Sequence, residues 1–137
     1  MYMKRLVIFS LLALLLGVAA CGGAESGGGT AGDSAARAVE EYLSAKVRGD
    51  DEGIRAGLCS AMEADLEREL RTFESVSNAM IDNMSCASDD PAAEDETAVR
   101  CAGEIVALYG TEETKFPLGA YRAVSEDGEW KWCGETQ

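Results

Sequence analysis

The sequence predicts an α+β domain in which three N-terminal helices pack on an antiparallel sheet, and three observations carry that expectation. Apolar residues recur at helical spacing from Ala35 to Val47 and again from Met62 to Met80. Beyond Asp82 the spacing changes to alternation: Val99, Cys101, Ile105 and Tyr109 are interleaved with residues that include Arg100 and Glu104. Glu126-Asp127-Gly128 then separates two further extended stretches, the signal of a closing hairpin. Helices followed by strands bury their apolar faces as two layers around one core.

The chain opens differently. Lys4-Arg5 precede an apolar run of about 15 residues from Leu6 to Ala20, which fits a removable export signal and is short for a bilayer-spanning helix. Val18-Ala19-Ala20-Cys21 resembles the lipobox of bacterial lipoproteins. The resemblance implies a diacylglyceryl thioether on Cys21, cleavage before it, and acylation, palmitate for example, of the new amino terminus by the lipoprotein-processing enzymes. More than one acyl chain makes such an attachment stable. Residues 1–20 are then the signal peptide, and residues 21–32 the lipidated cysteine with a glycine-rich tether. Residues 33–137 form the extracytoplasmic domain. The expected address is the outer face of the cell membrane, or the outer membrane of a two-membrane cell, to which Gly22 rather than aspartate after Cys21 points.

Charge narrows the function classes. Two of the 12 basic residues, Lys4 and Arg5, precede Cys21 and all 25 acidic residues follow it, so the exported part carries a net charge of −15. Such a surface repels phosphates, which argues against nucleic acid as a partner and leaves the lipid as the membrane link. There is no histidine, so the commonest general base and metal ligand is missing. With Cys21 assigned to lipid, Cys59, Cys86, Cys101 and Cys133 remain, an even number in an exported chain. Two disulfides are expected, with three connectivities open; the preferred one pairs Cys86 with Cys101 across neighbouring strands and Cys59 with Cys133 from a helix to the last strand. A zinc site is disfavoured by the absence of any Cys-x-x-Cys pair and of histidine.

Asp33 or Ser34 is placed to cap the first helix, whose apolar face is Ala35, Ala38, Val39, Tyr42, Leu43 and Val47 and whose stop is Gly49. Asp50 or Asp51 caps a short second helix carrying Ile54, Leu58 and Cys59, weakened by Gly53 and Gly57. Ser60-Ala61-Met62-Glu63 has the form of a capping box. Behind it Met62, Leu66, Leu70, Phe73, Val76 and Met80 predict one long third helix, with Glu67 and Arg71 paired on its wet side. A short strand follows at Cys86, then an acidic loop from Ser88 to Glu96 that lacks the central glycine and alternating ligands of a calcium loop. Strands are expected from Thr97 to Tyr109, with Gly103 at a bulge, from Phe116 to Ser125 and from Glu129 to Cys133. In the last strand Trp130 and Trp132 share one face, and Lys131 and Cys133 the other.

The segment from Tyr42 to Asp50, continued by Gly53-Ile54, is similar to the helix, Gly-Asp turn and second helix that open proteins of the nuclear transport factor 2-like superfamily. The Trp-rich terminal hairpin is similar as well. The resemblance implies a sheet curved into a cone, and small exported lipoproteins without an assigned activity share it. In ketosteroid-isomerase-like members a tyrosine seven residues before that glycine donates to a developing oxyanion, and Tyr42 has this spacing from Gly49. The family's carboxylate base has no counterpart that can be carried over, because it follows the second helix in a strand-forming stretch. Glu104 reads as an outward strand residue, and Ser60 has no base to activate it. The expected function is therefore a noncatalytic, anchored binding module with no cofactor besides the lipid. Its partner is expected to be either an apolar small molecule, in a pocket lined by Tyr42, Phe73, Trp130 and Trp132, or another envelope protein. The alternatives are a proton-transfer enzyme using Tyr42 and a purely structural envelope protein.

Overall fold

Helix α1 (Ser34–Arg48) begins where Asp33 accepts a hydrogen bond from the Ala36 amide at 3.0 Å and ends at Gly49, whose left-handed backbone, φ 67°, lets its amide return to the carbonyls of Ala45 and Lys46. The computed structural model describes residues 32–137; the expected signal segment, Cys21 and most of the tether lie outside the described residues. Helix α2 (Asp51–Gly57) is capped by Asp50, which accepts from the Gly53 amide at 3.0 Å. The helix-weakening glycines have a packing reason. A Cβ on Gly57 would lie 3.0 Å from the Tyr42 ring, and one on Gly53 would lie 2.8 Å from the Ala45 Cβ. Their absence lets α1 and α2 approach closely.

The third helix is much shorter than its apolar spacing predicts. Ser60–Asp65 is a 3-10 turn, α3 spans Leu66–Leu70, and strand β1 (Ser77–Ser88) has begun well before Met80. Two causes are visible. The Ser60 amide and hydroxyl both donate to the Glu126 carboxylate, at 2.9 and 2.8 Å, so the hydroxyl is engaged across the fold instead of closing a capping box with Glu63. From Ser75 to Asn78 the chain carries serine, valine and asparagine, poor helix formers, and a long partner strand is available to it. Met80 therefore lies exposed on a strand rather than in a helix face.

Strands β2 (Glu96–Tyr109), β3 (Glu112–Pro117), β4 (Ala120–Glu126) and β5 (Glu129–Glu135) complete an antiparallel sheet of order β1-β2-β4-β5, in which β3 also pairs with β2. β2 reaches two partners on one side, β4 through Glu96–Arg100 and β3 through Glu104–Tyr109. The single strand expected from Phe116 to Ser125 is thus broken at Leu118 and Gly119, and its first half starts earlier, at Glu112. Gly103 does face a bulge, with the extra residue on β1 between Asp82 and Ser85. With φ at 106° and the Asp82 carbonyl 2.6 Å from where a Cβ would stand, glycine alone fits there. Asp127 and Gly128, both at positive φ, close the β4–β5 hairpin.

Helix α1 lies on the inner face of the sheet, against β1, β2, β4 and β5. Val39, Tyr42, Leu43, Ile54, Val99, Ala123 and Trp132 form the core there. Disulfides join Cys86 to Cys101 between β1 and β2 and Cys59 to Cys133 between the end of α2 and β5. Two amides on the open edge of β1 are also satisfied: that of Cys86 donates to Glu40 at 2.9 Å, and that of Ser88 to Asp33 at 2.8 Å.

Candidate functional site

The chemistry-bearing residues of the cone meet around one carboxylate. Glu69 on α3 is buried; its Oε2 accepts from the Tyr42 hydroxyl at 2.9 Å and pairs with Lys46 Nζ at 2.6 Å, while Arg68 reaches Oε1 at 3.4 Å. Tyr42 and Lys46 are one helical turn apart on α1, so a single face of that helix presents both groups to α3. Beneath them Trp132 stacks on Tyr42 with ring centroids 4.5 Å apart, and Lys46 Nζ lies 5.4 Å from the Trp132 centroid.

Burial by itself would push the Glu69 carboxyl up. The Lys46 ammonium, with the Tyr42 and Arg68 donors, outweighs it and holds the group below the ordinary carboxylate range. Tyr42 moves the other way: burial, then the Glu69 charge and hydrogen bond, push its phenol well above its usual range. The pair is thus a locked carboxylate and a neutral phenol already committed as its donor. The Tyr42 hydroxyl hydrogen is spent on Glu69, and the carboxylate accepts from Tyr42, Lys46 and Arg68 together.

Of the four residues expected to line one pocket, Tyr42 and Trp130 share one groove, while Trp132 lines a second depression and Phe73 a third. Tyr42 and Trp132 are packed against each other as core. Trp130 is half-buried in an open groove of about 570 Å³ that runs between α1, α2 and the β4–β5 hairpin, where Lys131 Nζ donates to the Ala56 carbonyl. Phe73 lines a different depression, about 860 Å³, with Leu70, Arg71 and Val76. A third, about 590 Å³, opens over the cluster itself and is lined by Lys46, Met62, Arg68, Glu69 and Trp132. None of these three depressions is lined by Tyr42, Phe73 and both tryptophans together, and the Tyr42 and Trp132 rings stack on each other within the core. Trp132 and its neighbour Cys133 are both buried, since Cys133 turns to its disulfide with Cys59. Glu104 faces outward and pairs with Lys115 at 2.7 Å. In the acidic loop Asp89 pairs with Arg100 at 2.9 Å.

Sequence reading missed Glu69. It lies in the stretch read as a long helix, and no spacing rule links it to Tyr42, 27 residues away. Lys46, four residues after Tyr42, carried the available signal: a lysine on the buried side of an amphipathic helix needs a partner.

The architecture has known counterparts. The chain is similar to a five-substitution variant of a protein named Rd1NTF2_05, with a TM-score of 0.53 and 10% identity over 72% of this chain and 92% of that one. It is equally similar to a crystal structure from Streptomyces avermitilis described as a "putative dehydratase from the NTF2-like family", with a TM-score of 0.54 and 12% identity over 74% of this chain and 93% of that one. The fold is NTF2-like. No protein-family model and no curated protein matches the sequence. At these identities the likeness concerns the fold and leaves function to the site.

Proposed function

We propose that the protein is a lipid-anchored, extracytoplasmic NTF2-like module that binds through its surface and carries out no chemistry. The observation that carries this reading is the filled cone. Tyr42 and Trp132 stack on each other in the core between α1 and the sheet, and the Glu69 carboxylate beside them is held ionised by Lys46 and the Tyr42 hydroxyl. Two disulfides in a chain that opens with Lys4-Arg5, a long apolar run and Val18-Ala19-Ala20-Cys21 support an exported, Cys21-lipidated protein. Among the described residues no helix is long and apolar enough to cross a membrane, which is consistent with attachment through lipid. A filled interior also favours a protein partner over an apolar small molecule held in the cone.

Mass spectrometry on the detergent-extracted full chain tests both halves. The expected result is an amino-terminal peptide beginning at Cys21 with the mass of the diacylglyceryl and acyl groups, and a native mass with no small molecule bound. An unmodified Cys21 would overturn the anchor, and a stoichiometric small molecule would overturn surface binding. Turnover of a β,γ-unsaturated ketone, abolished by Tyr42→Phe, would replace the whole reading with the isomerase-like one.

A further inference from the structure

The geometry points to the outer edge of β3 as a surface that pairs with the same edge of a second copy, the two strands running antiparallel about Thr114. This goes beyond the reading above and rests neither on the anchor nor on the filled cone. Gly110, at φ 67°, and Thr111 close the β2–β3 hairpin between Tyr109 and Glu112, which are register partners. In an antiparallel ladder, pairs that exchange hydrogen bonds alternate with pairs that do not. The Leu118 amide donates to the Gly103 carbonyl at 2.9 Å. Counting from there along the register makes Ile105 with Phe116, Ala107 with Thr114 and Tyr109 with Glu112 the bonded pairs. Glu113 and Lys115 are then the residues whose N–H and C=O point away from β2. Strand β3 pairs with β2 and no other strand, and among the described residues no group bonds those of Glu113 and Lys115. The edge of β1 shows the contrast: there the Cys86 and Ser88 amides are taken by Glu40 and Asp33.

Spacing chooses the occupant. With the axis at Thr114, Glu113 of each copy stands opposite Lys115 of the other, so the outward groups exchange both bonds in each pair and a carboxylate meets an ammonium. An axis at Glu113 or at Lys115 sets like charge against like. The axis at Lys115 also places Pro117 opposite Glu113, where the missing N–H costs a bond. Lys115 already bonds Glu104 at 2.7 Å, yet its side chain is 54% exposed and an ammonium has three donors, so Glu104 and the Glu113 of the second copy can share it. On the other face the same register brings Phe116, 39% exposed, opposite Glu112 of the second copy, one strand from its Tyr109. Lysine and proline on an edge deter pairing in general. Here the lysine deters strands that lack a carboxylate at the matching position and admits this one. The net negative charge of each copy opposes association, but at physiological salt it is screened beyond about 8 Å, whereas the edge pairs are in contact.

The test is made on the full chain, purified as cells produce it and oxidised in air. At the axis Thr114 faces its own copy as a non-bonded pair, where opposed Cβ atoms lie about 4.5–5.5 Å apart, close enough for a disulfide after small adjustment. The expected result is a dimer linked through position 114 in Thr114→Cys. None should form through position 112 in Glu112→Cys, because the two copies of that residue stand about 13 Å apart along the paired strands. Adding Glu113→Lys or Lys115→Glu to Thr114→Cys should each lower the yield at least tenfold, and mixing those two variants should restore it, since each then supplies the charge the other lacks. Peptide mapping of the Cys59–Cys133 and Cys86–Cys101 links in every sample reports the fold. No linkage at 114, equal linkage at 112, a yield indifferent to the charges, or a mixture that stays unlinked would overturn the inference. The natural chain gives an answer that needs no variant: mixed with 15N-labelled copies it should show a dimer of intermediate mass by native mass spectrometry, and monomer alone would overturn the inference as well.

Discussion

Tyr42 and Trp132 at one end of the sheet's inner face and Tyr109 and Phe116 at the other are both aromatic pairs, yet the first residues are 1% and 3% exposed and the second 45% and 39%. The buried pair is held by α1, by the Glu69–Lys46 pair above it and by the Cys59–Cys133 disulfide beside it in β5. The exposed pair sits on the β2–β3 ladder, with Phe116 opposite Ile105 and Tyr109 opposite Glu112. The difference separates two uses of one residue class: aromatic surface removed from water stabilises the fold, and aromatic surface left in water is available to a partner.

The contrast breaks first at Glu69. Glu69→Ala leaves the Lys46 ammonium and the Tyr42 hydroxyl buried without their acceptor and should cost about 3–5 kcal/mol, read by urea unfolding. The double change Glu69→Leu with Lys46→Met should recover most of that loss, because a well-packed apolar pair replaces a desolvated ionic one. A double variant no better than Glu69→Ala would show that the cluster does more than satisfy its own charges. Next come the disulfides. Serine at both ends of the Cys59–Cys133 link, which spans 74 residues, should cost about 1.4 kcal/mol more than the same change at Cys86–Cys101, which spans 15, if restriction of the unfolded chain governs both. Equal costs would move the explanation into the native state.

Acid sharpens the same comparison. The folded carboxyls of Glu69 and Asp33 both lie below their ordinary values, so the unfolded chain binds protons first. Their stabilisation is fully present above the unfolded value and is lost as pH falls through the folded one. Denaturation series from neutral to acid pH should show that slope in the natural chain and a shallower one in Glu69→Ala. The smallest effect belongs to the open end: Phe116→Ser and Met80→Ser should each shift stability by no more than about 0.5 kcal/mol, read by the same urea unfolding. A larger loss would mean that this end is part of the core.

Local rules made the first half of the fold legible. Asp33, Gly49 and Asp50 stand at the boundaries their side chains or backbone freedom dictate, because a cap depends on residues one turn away. The error at Ser60–Met80 has the opposite origin. Met62, Leu66 and Leu70 do pack on the core, but the chain leaves the helix when β2, distant in sequence, offers a ladder of backbone hydrogen bonds and Glu126 engages Ser60 from 66 residues away. The site failed to read for the same reason. Tyr42 was visible through its spacing to Gly49, whereas its acceptor Glu69 comes from α3, 27 residues away, and Trp132 reaches Tyr42 only because β5 lies against α1. Alternation along β5 did not foresee that Trp132 and Cys133 would both be buried, since a disulfide outranks the strand's two-faced pattern.

Asp33 joins the start of α1 to the last residue of β1 through one carboxylate, and Glu40 repeats the connection at Cys86. Mechanically, a tug arriving along the amino-terminal chain is not taken by α1 alone. It is shared between helix and strand through two lateral ties and passes from Cys86 to Cys101 and the long β2 along a covalent path. The corner where load enters is therefore fastened three times over, by Asp33, by Glu40 and by the Cys86–Cys101 bond.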